Sequence, residues 1–204
     1  MENYQYGDKI TSNFNPENKL DQSIKEIIKN EGFTNYKIDK KCVSTNGGNF
    51  LAVLYEIDVK GTTNEGDKEV NMFVKSKDKS PPLQILPIDE VYKTENFAYK
   101  ELSEIFADLQ EKADVPAEER YKMVKVFAET NTEAIILENV AKTGYTTYHR
   151  TDTMSITFME LCVKQLARFH ALSFIIKEKN PEYFSKKIKP LKYPFIFEKG
   201  WANK

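Results

Sequence analysis

Four residues along the first half of the chain have the types and order needed to hold a phosphate. Gly47 and Gly48 lie in STNGGNFLAVLYEIDV, Lys75 ends the segment MFVK, and Glu95 lies in YKTENFAY. Glycines let backbone N–H groups approach a phosphate, a lysine offsets its charge, and a glutamate on a helix can hold that lysine in place. In this order, the four residues favour binding of the phosphates of a nucleotide.

The same residues also have a simpler interpretation. Gly47 and Gly48 are typical of a tight hairpin turn, because glycine adopts a positive φ without steric cost. Their spacing matches neither GxGxxG nor the Walker P-loop. Lys75 taken alone is consistent with a solvated lysine at the end of a strand. It is the order of glycines, strands, lysine and glutamate-bearing helix that favours phosphate binding.

Composition excludes several classes of protein. The chain has 204 residues, of which 40% are hydrophobic, so it can build one domain or two small ones. Its 30 basic and 31 acidic residues give a net charge of −1 without long like-charge blocks, so no nucleic-acid partner is predicted. With no bilayer-length apolar run and no basic-apolar leader at its start, the chain is predicted to be cytoplasmic, without a membrane partner. Cys42 and Cys162 are predicted to be free thiols.

The first element is predicted to be a helix. Asn15 and Pro16 are a typical helix start, and Gly32 is a typical end. The apolar stripe of this helix consists of Leu20, Ile24, Ile27 and Ile28.

Alternating patterns then predict five antiparallel strands with one inserted helix. The strands are predicted at 36–43, 51–59, 69–75, 121–129 and 132–138, and the helix at 89–109. The segments GGN and GTTNEGD are predicted as the turns between the first three strands, and Thr130 and Asn131 as the turn before the last.

After Gly144 the pattern becomes helical. Asp152 is predicted to cap a long helix that continues through FMELCVKQLARFHALSFIIKEK. The apolar residues at helical spacing in it are Phe158, Leu161, Leu166, Phe169 and Leu172. The predicted fold class is therefore α+β.

Six segments together carry a family resemblance. They are GGNFLAVLYEIDV, FVK, YKTENFAY, IILENV, the pair Gly144-Tyr145, and LARFHALS. In this order they resemble the ecdysteroid kinase-like (CHK kinase-like) family of small-molecule kinases, which is similar in fold to choline kinases and aminoglycoside phosphotransferases. The resemblance runs from about Asn35 to His170. It implies a protein-kinase-like N-terminal lobe over residues 1–138 and a partial helical C-terminal lobe over 139–204.

The resemblance also implies a nucleotide site. Its residues are Gly47, Gly48, Asn49, Phe50, Lys75, Glu95, Leu137, Glu138 and Asn139. The backbone of Leu137 and Glu138 would meet adenine, the cofactors would be ATP and Mg²⁺, and the partner would be a small molecule with a hydroxyl group, such as a steroid. Gly48, Ala52 and Asn139 depart from the residues usual in the family, although the glycine loop and the lysine remain.

No catalytic or metal-binding residue is predicted in the chain. Phosphoryl transfer needs an Asp near the substrate hydroxyl and an Asp or Asn set for Mg²⁺, but Asp152 is the one Asp after Asn139. The segment HRTDTMSIT has one residue more between His149 and Asp152 than an H-R-D loop, and no Asn follows five positions later. His170 is predicted to be a helix-packing residue. Family members are about twice as long, with their catalytic motifs expected beyond Lys204, so the chain is expected to be truncated before the catalytic loop.

Three hypotheses follow. The chain is part of an ATP-dependent phosphotransferase, or a non-catalytic relative that binds a nucleotide or a partner protein, or an α+β interaction domain whose glycines only turn. Exposed apolar faces in LARFHALSFII and YPFIF also suggest dimerisation or poor solubility. A clean monomer in size-exclusion chromatography at high concentration would contradict that suggestion.

Overall fold

The computed structural model describes residues 18–44, 51–78, 87–148 and 151–191. These belong to two compact units, one within Met1–Asn96 and Val124–Tyr145, the other within Phe97–Met123 and Thr146–Lys204. The predicted phosphate-binding hairpin residues Gly47, Gly48, Asn49 and Phe50 lie outside the described residues. Their role, and the predicted lobe boundary after Glu138, stay predictions.

The first unit is built on an antiparallel sheet. Its strands are β1 (Phe33–Val43), β2 (Ala52–Thr63), β3 (Gly66–Lys77) and β4 (Ala134–Glu138), in the spatial order β1-β2-β3-β4. β2 and β3 extend further than predicted and are joined by the two residues Asn64 and Glu65, so most of GTTNEGD is strand. The predicted α+β class and antiparallel arrangement are confirmed.

The predicted strand at 121–129 is not formed, and the sheet has four strands, not five, in the described residues. Within this segment Val126 makes an isolated bridge to Leu137 of β4. At the start of the segment, the side chain of Gln110 bonds to the backbone of Tyr121. Gln110 Oε1 accepts from the Tyr121 N–H at 2.6 Å, and Gln110 Nε2 donates to the Tyr121 carbonyl oxygen at 3.1 Å. Because a side chain satisfies the backbone groups that a strand would offer to its neighbour, the β ladder does not extend along the segment.

Helix α1 (Lys19–Asn30) covers one face of this sheet. Asn15 and Pro16 lie outside the described residues, and the N-cap is Asn18, whose side chain accepts from the N–H of Leu20 at 3.0 Å. Gly32 follows the helix with φ of +77°. The buried core between helix and sheet consists of Leu20, Ile24, Ile27, Ile28, Ile57, Val59, Met72, Val74, Phe127, Ala134 and Ile136.

Gly61 of β2 lies against the backbone of β1. A Cβ at this position would lie 2.0 Å from the carbonyl oxygen of Asn35 and 2.7 Å from the Cα of Tyr36. Because both are backbone atoms of a paired strand, they cannot yield without disturbing the ladder. We therefore expect Gly61→Ala to lower the free energy of unfolding by about 1–3 kcal/mol in urea denaturation. Lys37→Ala, at an exposed position of β1, is the control and should stay within about 0.5 kcal/mol; equal stability of the two variants would contradict the expectation.

The helical segment after β3 is interrupted by a π-helical turn. It consists of α2 (Ile88–Phe97), the π-helical turn Ala98–Leu102 and α3 (Ser103–Lys112). The predicted helix at 89–109 is thus present. All of α2 except its last residue belongs to the first unit, and α3 belongs to the second.

The second unit is helical in its described residues. Helix α4 (Ile156–Lys179) is followed by the short helix α5 (Pro181–Tyr183) and a second π-helical turn, Phe184–Ile188. The predicted cap Asp152 is wrong: α4 is capped by Ser155, whose Oγ accepts from the N–H of Phe158 at 3.2 Å. Ser155 holds the cap because it has extended backbone angles immediately before the first helical residue.

The core of the second unit is small. Its buried residues are Phe106, Leu172 and Ile176, and Leu102, Ile105, Leu109, Tyr121, Met123, Phe169, Tyr183, Phe184 and Ile188 pack against them. The Tyr183 hydroxyl donates to Glu101 Oε1 at 2.9 Å, and burial together with this carboxylate raises the pKa of Tyr183 to about 12.

Most of the predicted apolar stripe of α4 is exposed. Phe158, Leu161 and Leu166 expose 37%, 56% and 54% of their surface. His170 is also exposed, and its ring meets Phe169 edge-on, so the prediction of a packed histidine is wrong. None of the helices in the described ranges is both long and apolar enough to cross a bilayer.

Candidate functional site

An ion pair between Lys75 and Glu95 forms the centre of the candidate site. The Lys75 ammonium donates to both carboxylate oxygens of Glu95, at 2.6 Å and 2.7 Å. The lysine side chain keeps 31% of its surface exposed and the glutamate 19%. The pair predicted from sequence is therefore present, and its lysine remains accessible to an anion from solvent.

Strand alternation places Lys75 on the sheet face opposite α1. Val74 and Met72, its alternating neighbours, are buried in the core beneath α1, so Lys75 points the other way. Its cross-strand neighbours are Leu54 on β2 and Ile135 on β4, both buried. Apolar flanks on both sides limit how far the charged group can move and direct it toward Glu95.

A second lysine, Lys77, ties α2 to the same strand. Its ammonium donates to Asp89 at 2.7 Å and to Glu133 at 3.1 Å, and lies 5.7 Å from the ring centre of Tyr92. Burial lowers the pKa of Lys77, but its hydrogen bonds to Asp89 and Glu133 outweigh that effect and raise the pKa above its ordinary value. Lys77 is therefore charged at neutral pH and holds the first turn of α2 through Asp89, six residues before Glu95.

Sequence analysis did not identify Lys77. The available signal was its position two residues after Lys75, which places both lysines on one face of a strand. Asp89 lies six residues before Glu95, so one helix supplies an acidic partner to each lysine. Two attachments fix the helix more firmly than one, since rotation about a single ion pair would carry Glu95 away.

The buried polar residue beside these pairs is Tyr92. It is 1% exposed, and its hydroxyl has no hydrogen-bond partner within the described ranges. Burial raises the pKa of the phenol, and the nearby carboxylate of Glu95 raises it further. The Tyr92 hydroxyl thus stays neutral and keeps an unused donor next to the lysines.

β4 leads into the linker, which we define as residues 138–145. Leu137 is buried, and the N–H of Glu138 donates to the carbonyl of Lys125 at 2.9 Å. These contacts fix the backbone at the start of the linker, where the predicted adenine-binding groups lie.

Asn139 shapes the rest of the linker. Its N–H donates to the carbonyl of Asn71 at 2.9 Å, and its Oδ1 accepts from the N–H of Ala141 at 3.2 Å. The amide thereby caps a 3₁₀ helix, Val140–Thr143, which ends at Gly144 with φ of +96°. Asparagine suits a cap of this kind because its short side chain reaches the N–H two residues on.

Potential metal ligands in the described part of the chain do not form a cluster of three. There, no group of three or more His, Cys, Asp or Glu side chains is placed to hold a metal ion. Cys42 and Cys162 are free and exposed thiols, as predicted.

Comparison with known proteins gives one match. The family model described as the ecdysteroid kinase-like family matches residues 46–200, which are 155 of the 204 residues. No curated protein and no solved structure matches the chain. The match begins before the predicted hairpin and includes Lys75, Glu95 and the linker.

Proposed function

Because the chain belongs to the ecdysteroid kinase-like family, we propose that its first unit binds ATP for phosphoryl transfer to a hydroxyl group of a small molecule. The observation that carries this proposal is the two-oxygen contact between Lys75 and Glu95. In kinase-like folds such a pair orients the lysine toward the α and β phosphates.

The geometry supports a defined role for each residue. Glu95 holds the Lys75 ammonium in place, so the lysine loses little freedom when a phosphate arrives. Asp89 and Glu133 fix Lys77, which keeps α2 and therefore Glu95 in position. We assign adenine recognition to the backbone of Leu137 and Glu138, with Asn139 beside them in the nucleotide site, and phosphate covering to Gly47, Gly48, Asn49 and Phe50.

The chain alone is not expected to complete the transfer. Its one Asp after Asn139, Asp152, lies just before α4, and the described residues contain no group of three or more potential metal ligands. Loss of one group that stabilises the transferring charge commonly lowers the rate by a factor of about 100 to 1000. Because the predicted site includes neither the Asp that accepts the hydroxyl proton nor the Mg²⁺ ligands, nucleotide binding without turnover is expected.

This observation favours a second candidate function, a kinase relative that binds a nucleotide or a partner without catalysis. Both candidates share the nucleotide site and differ in the chemistry. For either, the substrate stays unspecified beyond a small molecule bearing a hydroxyl group.

The proposal is tested by two measurements on residues 1–204. Calorimetric titration with ATP should show binding, and ATP consumption with steroid and amino-alcohol acceptors should not exceed the rate without protein. No nucleotide binding would contradict the ATP site. Robust turnover would contradict the expected lack of catalysis and exclude the non-catalytic candidate.

A further inference from the structure

A cavity lies in the first unit beside the linker. It has a volume of about 260 Å³ and lies where the early residues of β3 meet the end of β4 and the segment around Lys125. The residues that matter for its chemistry are Val70, Asn71, Lys125, Phe127, Glu138 and Asn139. We call it the linker cavity.

One side-chain amide atom of each of two residues in the linker cavity is buried without a partner among the described residues. Asn139 is 3% exposed, and its Nδ2 has no hydrogen-bond partner in the part of the chain that the structure describes. The same holds for Oδ1 of Asn71, whose carbonyl oxygen accepts from the N–H of Asn139. An unused donor on Asn139 and an unused acceptor on Asn71 therefore lie on two residues that are joined by a backbone hydrogen bond. Buried polar groups of this kind normally have a partner.

The ionic groups of the cavity divide into paired and unpaired sets. The paired ones are Lys68 with Glu31 at 2.8 Å, Lys142 with Asp58 at 2.8 Å, and Glu69 with Lys60 at 3.0 Å. Lys125 and Glu138 have no ion pair among the described residues, although the Lys125 ammonium lies 5.3 Å from the ring centre of Phe127. One cation and one anion thus remain available to a ligand.

From these groups we infer that the linker cavity binds a small zwitterion of the α-amino acid type. Its carboxylate accepts from Lys125 and from Nδ2 of Asn139, and its ammonium donates to Glu138 and to Oδ1 of Asn71. Val70 and Phe127 provide the apolar surface for a short aliphatic side chain. A phosphate would meet the Glu138 carboxylate, and a simple cation would meet the Lys125 ammonium, so each fits only half of the cavity.

This site is independent of the proposed ATP site. The predicted adenine contacts are backbone groups of Leu137 and Glu138, whereas the inferred ligand contacts use the side chains of Glu138 and Asn139. The inference therefore stands or fails without any nucleotide.

The test is calorimetric titration of residues 1–204 with L-valine in the absence of nucleotide. Isovalerate lacks the ammonium group and isobutylamine lacks the carboxylate, so these two compounds have the same carbon skeleton with one charge each. Binding of valine, with each single-charge compound at least about tenfold weaker, is the expected result. No binding of valine would mean that the cavity holds water only, and equal binding of isovalerate would contradict recognition of a zwitterion.

Two variants test the assigned contacts. Asn139→Asp keeps the Oδ1 cap on Ala141 but replaces the Nδ2 donor by an oxygen, and Lys125→Met removes the cation. Each should weaken valine binding by at least about tenfold, while Lys122→Met, an exposed position outside the cavity, should leave it unchanged. Unaltered NMR spectra away from the cavity would exclude unfolding as the cause, and unchanged valine affinity in both test variants would overturn the inference.

Discussion

Replacing Lys75 by methionine is expected to weaken ATP binding roughly 10- to 100-fold. Methionine preserves most of the length and apolar surface of the side chain but removes the ammonium that faces Glu95. Hydrogen bonds to charged groups contribute about 1.5–3 kcal/mol, which corresponds to this range of affinity. Moreover, an uncompensated Glu95 carboxylate would then repel the phosphates. The measurement is calorimetric titration of parent and variant with ATP.

Two further variants separate the ion pair from general charge effects. Glu95→Gln keeps the size of the side chain but weakens its hold on Lys75, so a smaller loss of ATP affinity is expected. Lys93→Met removes an exposed lysine of α2 that pairs with Glu90 and should bind ATP as the parent does. Equal affinity of the Lys75→Met and Lys93→Met variants would remove the main support for the nucleotide site.

Replacing Ile24 by alanine is expected to lower the free energy of unfolding by about 2–5 kcal/mol. Ile24 is fully buried between α1 and the sheet, where truncation removes apolar contacts and leaves a cavity. That loss is a large part of the total stability of a small domain. Urea denaturation followed by circular dichroism measures it.

Glu26→Ala is the matched control for this helix. Glu26 lies on the exposed side of α1, and its carboxylate forms an ion pair with Lys29 at 3.3 Å. Surface pairs of this kind contribute little, so a change within about 0.5 kcal/mol is expected. Equal losses of stability in the two variants would contradict the assignment of the Ile24 effect to packing on the sheet, because alanine has a higher helix propensity than either residue it replaces.

The site could be predicted where local pattern and chain order agree. Lys75 ends an alternating strand, and Glu95 lies on a helix with a recognisable acidic first turn, so their pairing followed from the order of the elements. Lys77 was not identified, because its partner Glu133, which lies just before β4, is far away in sequence. A single sequence contains no signal for that three-way contact.

The strand predicted at 121–129 was wrong because side chains take the place of backbone hydrogen-bond partners near both ends of this segment. The segment 121–129 has an alternating pattern, yet Gln110 binds Tyr121 at one end. At the other end the Thr130 hydroxyl accepts from the N–H of Ile136 and donates to its carbonyl oxygen. Such tertiary hydrogen bonds leave the pattern of apolar residues unchanged, so periodicity predicts a strand. The cap of α4 was misplaced for a local reason, because Asp152 and Ser155 are equally good capping types.

The exposed apolar surface of α4 has a consequence for colloidal stability. Several large side chains of this helix are in water, and burying such a side chain fully contributes about 1.5–3 kcal/mol. The chain has a net charge of −1 and an isoelectric point of about 6.2, so electrostatic repulsion between copies is weak near neutral pH and weakest just below it. Attraction through α4 is therefore opposed by little charge, and the range from pH 6 to 7 is where the chain is most prone to precipitate.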